Sequence, residues 1–552
     1  MRESTRDDVT AHRRLFGGIS FVEASEGMYW KFVQIVLIVL YLGLVMALSL
    51  LGRRKTRTSN QFLNASGELP LWVCSIACIA ANCGSLDVVS MMAVGTQYGL
   101  LAAHFYWIGA IPALLLLAFC LLPFYARGRY RSLLDLLARF YGDGTRLLAA
   151  LCMIVAMLLL SGGALCIAAQ FCTVLLGWSF ATGVLLIALL VLIYTTIGGL
   201  RATLYTDVLH FFLVLLAVLP LLPLLAAHFG GVEAMMAALP DAQMHAWKSL
   251  PWFDPGARMD GVGLIFGLGM VLGVGYWSTD FIILQRILAV RRSEDPRHVI
   301  VSLAVAKLFF AFVIVLPGIA APLILGQVRT GSFNTILPRL MLYFYPKAWG
   351  SIAEMGLAAA LIATFANNIS GFSAAWVEGI YRTTLRKGAS EQHYILLGRV
   401  SSAAAVLIAV GGAALAATYS SLMEYMQMIF STFNAPLLAL VLLAVAVPRR
   451  VASGGVWGFS AGLGTGLLHR ICVQAGLLHF GSRMTSSFYT AILGFVVSVV
   501  ATLLAGYLRR GAFEPRMQSE RHDDEVRHRS PLPLFLVLML TMLAVGINLY
   551  FW

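Results

Sequence analysis

The sequence is punctuated by apolar runs of roughly 20 residues, the length a helix needs to cross about 30 Å of hydrocarbon. Candidate spans fall at 29–51, 70–98, 104–126, 145–173, 178–197, 204–229, 262–290, 298–326, 350–382, 393–417, 421–447, 454–476, 485–508 and 531–551. Backbone polar groups cannot go unpaired in lipid, so runs of this kind have to be helical. Composition agrees: of 552 residues, 60% are hydrophobic and 12% charged, against roughly 25% charged in soluble domains. The expected class is an all-α polytopic membrane protein with about fourteen transmembrane helices. The run at 29–51 follows a polar arm over 1–28 and is longer than the roughly 7–15 residues of a signal-peptide core. It is read as a retained anchor.

Charge places the loops. Every second connection is basic: Arg53, Arg54, Lys55 and Arg57; Arg127, Arg129 and Arg131; Arg201; Arg291, Arg292 and Arg297; Arg382, Arg386 and Lys387; Arg449 and Arg450; Arg509 and Arg510. Basic loops are retained in the cytoplasm, so both termini are expected outside an inner (plasma) membrane. The same asymmetry accounts for the net charge of +13, and no nucleic-acid partner is needed to explain it. All eight cysteines lie in apolar spans without metal-ligand spacing, and read as small packing residues. No phosphate loop or histidine metal motif occurs, which leaves an ATP-driven pump or a metalloenzyme without support.

Two spans carry signs of interruption. The second holds Asn82, Gly84, Ser85 and Asp87 inside an apolar stretch; the seventh holds Gly261, Gly263, Gly267, Gly269, Gly273 and Gly275 before Tyr276, Trp277, Ser278, Thr279 and Asp280. Glycines also permit close helix packing, but paired interrupted spans five apart are what two inverted five-helix repeats produce.

Several blocks then resemble the sodium:solute symporter family, in its order. They are Arg53–Arg57 with Leu69-Pro70-Leu71-Trp72; Tyr194-Thr195-Thr196-Ile197-Gly198-Gly199-Leu200-Arg201-Ala202 with Tyr205-Thr206-Asp207; Tyr276-Trp277 with Gln285-Arg286; Leu316-Pro317-Gly318-Ile319-Ala320; and Ile380-Tyr381. The resemblance implies a LeuT-type core of ten helices over 70–447, one helix before it at 29–51, and accessory helices over 454–552 with a charged linker at 511–530. It also implies a sodium site, with carbonyls of Ala80 and Cys83 on the first core helix facing Ala360, Ala363 and Thr364 on the eighth. The family's first serine on that eighth helix is Ala363 here, so one hydroxyl ligand is missing, while Thr364 keeps the other. Hard cations need several oxygen ligands; the amide of Asn367 is one candidate replacement.

Ionisable residues inside the membrane are functional candidates by default. Asp87 stands where sugar-transporting relatives use a glutamine toward substrate, and Lys307 matches their substrate-site lysine; a structural ion pair is the competing reading. Tyr106 replaces the glutamate those relatives turn to sugar. Tyr276 is a candidate aromatic gate, Gln427 a hydrogen-bonding group on the tenth core helix near Pro436, and Asp207 and Asp280 candidates for the ion route or inner gate. The expectation is a secondary transporter, not an enzyme, moving a small polar organic solute such as a sugar or carboxylate. Sodium is the nominal coupling ion and no other cofactor is implied. Proton coupling, uncoupled transport and a membrane sensory module are the alternatives.

Overall fold

The computed structural model describes residues 36, 39, 40, 43, 69–127, 130, 133–195, 200–248, 250–279, 281–288, 290–291, 294–326, 333–447, 452–509 and 532–552. The arm at 1–28, nearly all of the run at 29–51, the linker at 511–530, Asp280 and the side chain of Asp207 lie outside the described residues. Each expected span from 70–98 onward holds a helix, and among the described residues eight helices are long and apolar enough to cross a membrane. Shorter apolar helices cover Leu71–Asn82, Phe180–Ile193, Gly263–Thr279 and Leu538–Tyr550. Extended pairing among the described residues is limited to an isolated parallel bridge between Leu69 and Val290.

The main helices are α1 (Leu71–Asn82), α2 (Ser85–Tyr98), α3 (Asp143–Leu176), α4 (Phe180–Thr195), α5 (Leu200–Val218), α6 (Arg297–Leu325), α7 (Lys347–Ala374), α8 (Glu391–Ala416), α9 (Leu422–Ala446), α10 (Gly455–Gln474), α11 (Arg483–Leu508) and α12 (Leu532–Tyr550). The long helix α3 packs against α4, α7, α8 and α9, while α6 lies along both α1 and α2, and α5 joins α1 to α7. Helices α10 and α11 pack on each other and on α9. Small residues set these approaches: a Cβ on Gly95 would stand 2.9 Å from the Val315 carbonyl oxygen, so α2 and α6 touch backbone to backbone.

The first expected interruption is present. Helix α1 ends at Asn82, Cys83 leaves helical geometry at φ −116°, ψ 30°, Gly84 is extended, and α2 starts at Ser85. The glycine-rich seventh span behaves otherwise. Its backbone stays helical through Thr279, widened into π-helical turns over Gly263–Gly273. Its glycines serve packing, as a Cβ on Gly273 would fall 2.2 Å from the Gly109 carbonyl oxygen. At the end carrying the basic loops, the Arg291 amide donates to the Leu69 carbonyl at 3.0 Å and Glu294 Oε2 accepts the Leu71 amide at 2.8 Å, tying the starts of α1 and α6 together.

Candidate functional site

Polar chemistry gathers at the interruption between α1 and α2. A helix broken in lipid leaves terminal amides and carbonyls that need partners, which makes the break the natural place for ligands. Its geometry depends on Gly84: a Cβ there would lie 2.3 Å from the Ala80 carbonyl oxygen. The contact is with backbone, so no side-chain adjustment relieves it.

Asp87 occupies the first turn of α2, where the positive end of the helix dipole favours a carboxylate. Its Oδ2 accepts from Tyr106 Oη at 2.8 Å and from Lys307 Nζ at 3.2 Å. Lys307 comes from the middle of α6 and is 5% exposed. Its ammonium also donates to the Asn82 carbonyl at 2.5 Å, a terminal acceptor of α1. The same nitrogen stands 4.7 Å from the Tyr106 ring centroid and 5.9 Å from that of Trp277. Such cation–π contacts contribute about 2 kcal/mol when desolvated. Lys307 therefore reaches a carboxylate at mid-span and does not snorkel to either end of its helix.

Tyr276 joins through a second link. Its Oη donates to Asn82 Oδ1 at 3.0 Å, and the Asn82 amide donates to the Cys78 carbonyl at 2.9 Å. The Tyr276 ring lies 5.2 Å from that of Phe430 on α9. One cluster thus draws on α1, α2, α6, α9, the helix carrying Tyr106 and the span carrying Tyr276 and Trp277. Asp87, Tyr106, Lys307 and Tyr276 come together as separate pieces of sequence. Gln427 does not join them: its amide nitrogen faces Met423 Sδ on its own helix at 3.6 Å.

On the other side of the break, α7 presents Ala360, Ala363 and Thr364. Thr364 Oγ1 donates to the Ala360 carbonyl at 2.8 Å and lies 3.3 Å from Ser85 Oγ. Ala363 is buried there without a side-chain oxygen. Asn82, Ser85, Trp277 and Phe430 carry contacts that the sequence did not assign. The signal for the first two was present, since Asn82 and Ser85 are polar residues in the interrupted apolar stretch.

Comparisons with known proteins give the family and the fold. The family model described as "Sodium:solute symporter family" matches residues 62–462. The pig (Sus scrofa) sodium/glucose cotransporter 1 is 24% identical over 529 residues, covering 85% of this chain and 78% of the relative. The sodium/glucose cotransporter of Vibrio parahaemolyticus is 24% identical over 465 residues, covering 81% and 84%. Rabbit (Oryctolagus cuniculus) sodium/myo-inositol cotransporter 2 is 25% identical over 482 residues, covering 79% and 70%. Among solved structures, the substrate-bound outward-open state of a Na+-coupled sialic acid symporter superposes with a TM-score of 0.70 at 17% identity, covering 88% of this chain and 99% of that one. The two share a fold, the LeuT-type core of inverted repeats.

Proposed function

The chain belongs to the sodium:solute symporter family, and from that premise we propose which solute it carries and where. Family membership makes it a multi-pass, sodium-coupled secondary transporter of small molecules. The proposed solute is a small, neutral, hydroxyl-bearing molecule held at the break between α1 and α2. The observation that carries this is the mutual pairing of Asp87 and Lys307 at 3.2 Å, capped by Tyr106. A solute entering there has to replace those contacts, offering donors to Asp87 and acceptors to Lys307 and Tyr106. Hydroxyl groups do both. A simple carboxylate satisfies Lys307 but leaves Asp87 facing a like charge. The names of the relatives point the same way, toward a sugar and a polyol.

In this reading Tyr276 closes the site on one side, 70–447 is the transport core, and 454–552 is accessory. Sodium is cargo, bound beside the break by the carbonyls of Ala80, Cys83 and Ala360 and the hydroxyl of Thr364. Asp207 and Asp280 are assigned to the ion route or gate, and Gln427 on α9 to the solute. The protein sits in the inner (plasma) membrane with basic loops in the cytoplasm.

The test is uptake into proteoliposomes of labelled hexoses, inositols, dicarboxylates and amino acids under an inward sodium gradient. Sodium-dependent accumulation of a neutral polyol or sugar is expected. Accumulation of a dicarboxylate with none of the neutral solutes would overturn the assignment, and uptake driven by a pH gradient without sodium would overturn the coupling.

A further inference from the structure

We propose that Ser85 supplies the hydroxyl ligand that Ala363 does not, completing the sodium site between the break and α7. This rests on the reading that places the ion beside the break. It adds a ligand from a helix and a position that the family pattern on α7 does not contain.

Ser85 is the first residue of α2 and is 1% exposed. A serine at a helix start ordinarily caps its own helix, but here Gly84 holds the cap position with no side-chain cap bond. Among the described residues, the Ser85 hydroxyl instead meets Thr364 Oγ1 at 3.3 Å, across 279 residues of sequence. Thr364 spends its own proton on the Ala360 carbonyl. Its lone pairs are therefore what Ser85 faces, and Ser85 is the donor of the pair. A buried Ser85 hydroxyl and a half-buried Thr364 hydroxyl, held among the described residues by each other and one carbonyl, keep free lone pairs, and lone pairs are what a hard cation requires.

The spacing fits an ion. Cations of this size hold oxygens at about 2.3–2.6 Å, so two ligands at right angles stand about 3.3–3.7 Å apart. The Ser85 and Thr364 oxygens, at 3.3 Å, match a pair of adjacent ligands with no rearrangement of either helix. The Ala80 carbonyl oxygen lies on the same turn, directed at Gly84, the residue next to Ser85. Among the described hydrogen bonds, the Cys83 amide closes on Ile79 and the Asn82 carbonyl takes Lys307, while none closes on Ala80. The hydroxyl that α7 lost at Ala363 is returned by α2 from the opposite wall.

The experiment measures half-saturating sodium for uptake in proteoliposomes, and sodium-dependent thermal stabilisation of purified protein in detergent without solute. Variants are Ser85→Ala, Ser85→Thr, Thr364→Ala, Ala363→Ser and the double variant Ser85→Ala with Ala363→Ser. Ser85→Ala is expected to raise half-saturating sodium about tenfold and remove most of the stabilisation, Ser85→Thr to retain both, and the double variant to regain both. Wild-type sodium dependence in Ser85→Ala, alongside impairment in Thr364→Ala, overturns the assignment of Ser85 and leaves the site in place. Wild-type behaviour in both single alanine variants overturns the site itself. If Ser85→Ala fails to fold, recovery of folding but not of sodium response in the double variant also overturns the proposal.

Discussion

At the residue scale, the Asp87–Lys307 pair dominates the energetics. Two charges in a buried site are tolerable because each answers the other, and deleting one strands its partner at a cost on the order of 3–5 kcal/mol. Asp87→Asn removes the counter-charge and leaves the Lys307 ammonium among neutral partners, the Asn82 carbonyl, the Cys83 thiol and two aromatic rings. Loss of most transport and a clear fall in melting temperature are expected. Combining it with Lys307→Met removes both charges, so the melting temperature should recover while transport stays low. Uptake at the wild-type rate by Asp87→Asn would remove Asp87 from the solute site. Equal melting temperatures for the single and double variants would show that the pair is not coupled. The two residues were separately visible in the sequence as charges in apolar spans, with an ion pair as one reading; their 3.2 Å contact was decided by the fold, because they stand 220 positions apart.

At the element scale, the ends of helices matter more than their middles. Helix α6 carries Lys307, and its entry is organised by Asp295, which accepts from the Arg297 amide at 3.0 Å and pairs with the Arg297 guanidinium. Burial by itself raises the Asp295 carboxyl, but the hydrogen bonds and charge of Arg297 outweigh it and hold the group below its ordinary value of 3.8. A carboxyl depressed in the folded state adds stability above its unfolded pKa, and that stability is lost as pH falls through the folded one. Detergent-solubilised protein should therefore lose melting temperature below about pH 4, and Asp295→Asn should flatten part of that dependence. An identical acid profile in the variant would show that Asp295 does not set it. The glycine-rich span makes a second point about elements. Its composition was equally compatible with a break and with close packing, and the π-helical course through Gly263–Gly273 brings its glycines against Phe488, Ile108 and Gly109, neighbours that the span itself does not encode.

At the scale of the whole molecule, the loops alternate in charge. Positions beside Arg53 and Arg291 are expected on the cytoplasmic side, and positions beside Asp241 and Asn334 outside. Single cysteines introduced at exposed sites next to Asp241 should react with an impermeant thiol reagent in intact cells, and those next to Arg291 only after permeabilisation. Strong labelling beside Arg291 in intact cells would invert the topology. The close tie of Leu69 to Arg291 and of Leu71 to Glu294 places the starts of the first and seventh core helices on one side, as spans that alternate in direction do.

Membrane residence, the positions of the spans from 70–98 onward, an interruption of the second span around Asn82 to Asp87 and the family pattern were determined by the sequence alone. Each depends on local properties: apolar length against bilayer thickness, the backbone freedom of glycine, and charge next to a span. What only the tertiary structure decided was which side chains meet. A lipid-facing surface and a packed interior are both apolar, so a membrane span carries little periodicity to show how it is turned. Lys307 finding Asp87, Tyr276 finding Asn82, and Ser85 finding Thr364 are settled by how α1, α2, α6 and α7 are turned toward one another, which for α2 and α6 rests on the backbone contact at Gly95 and Gly318.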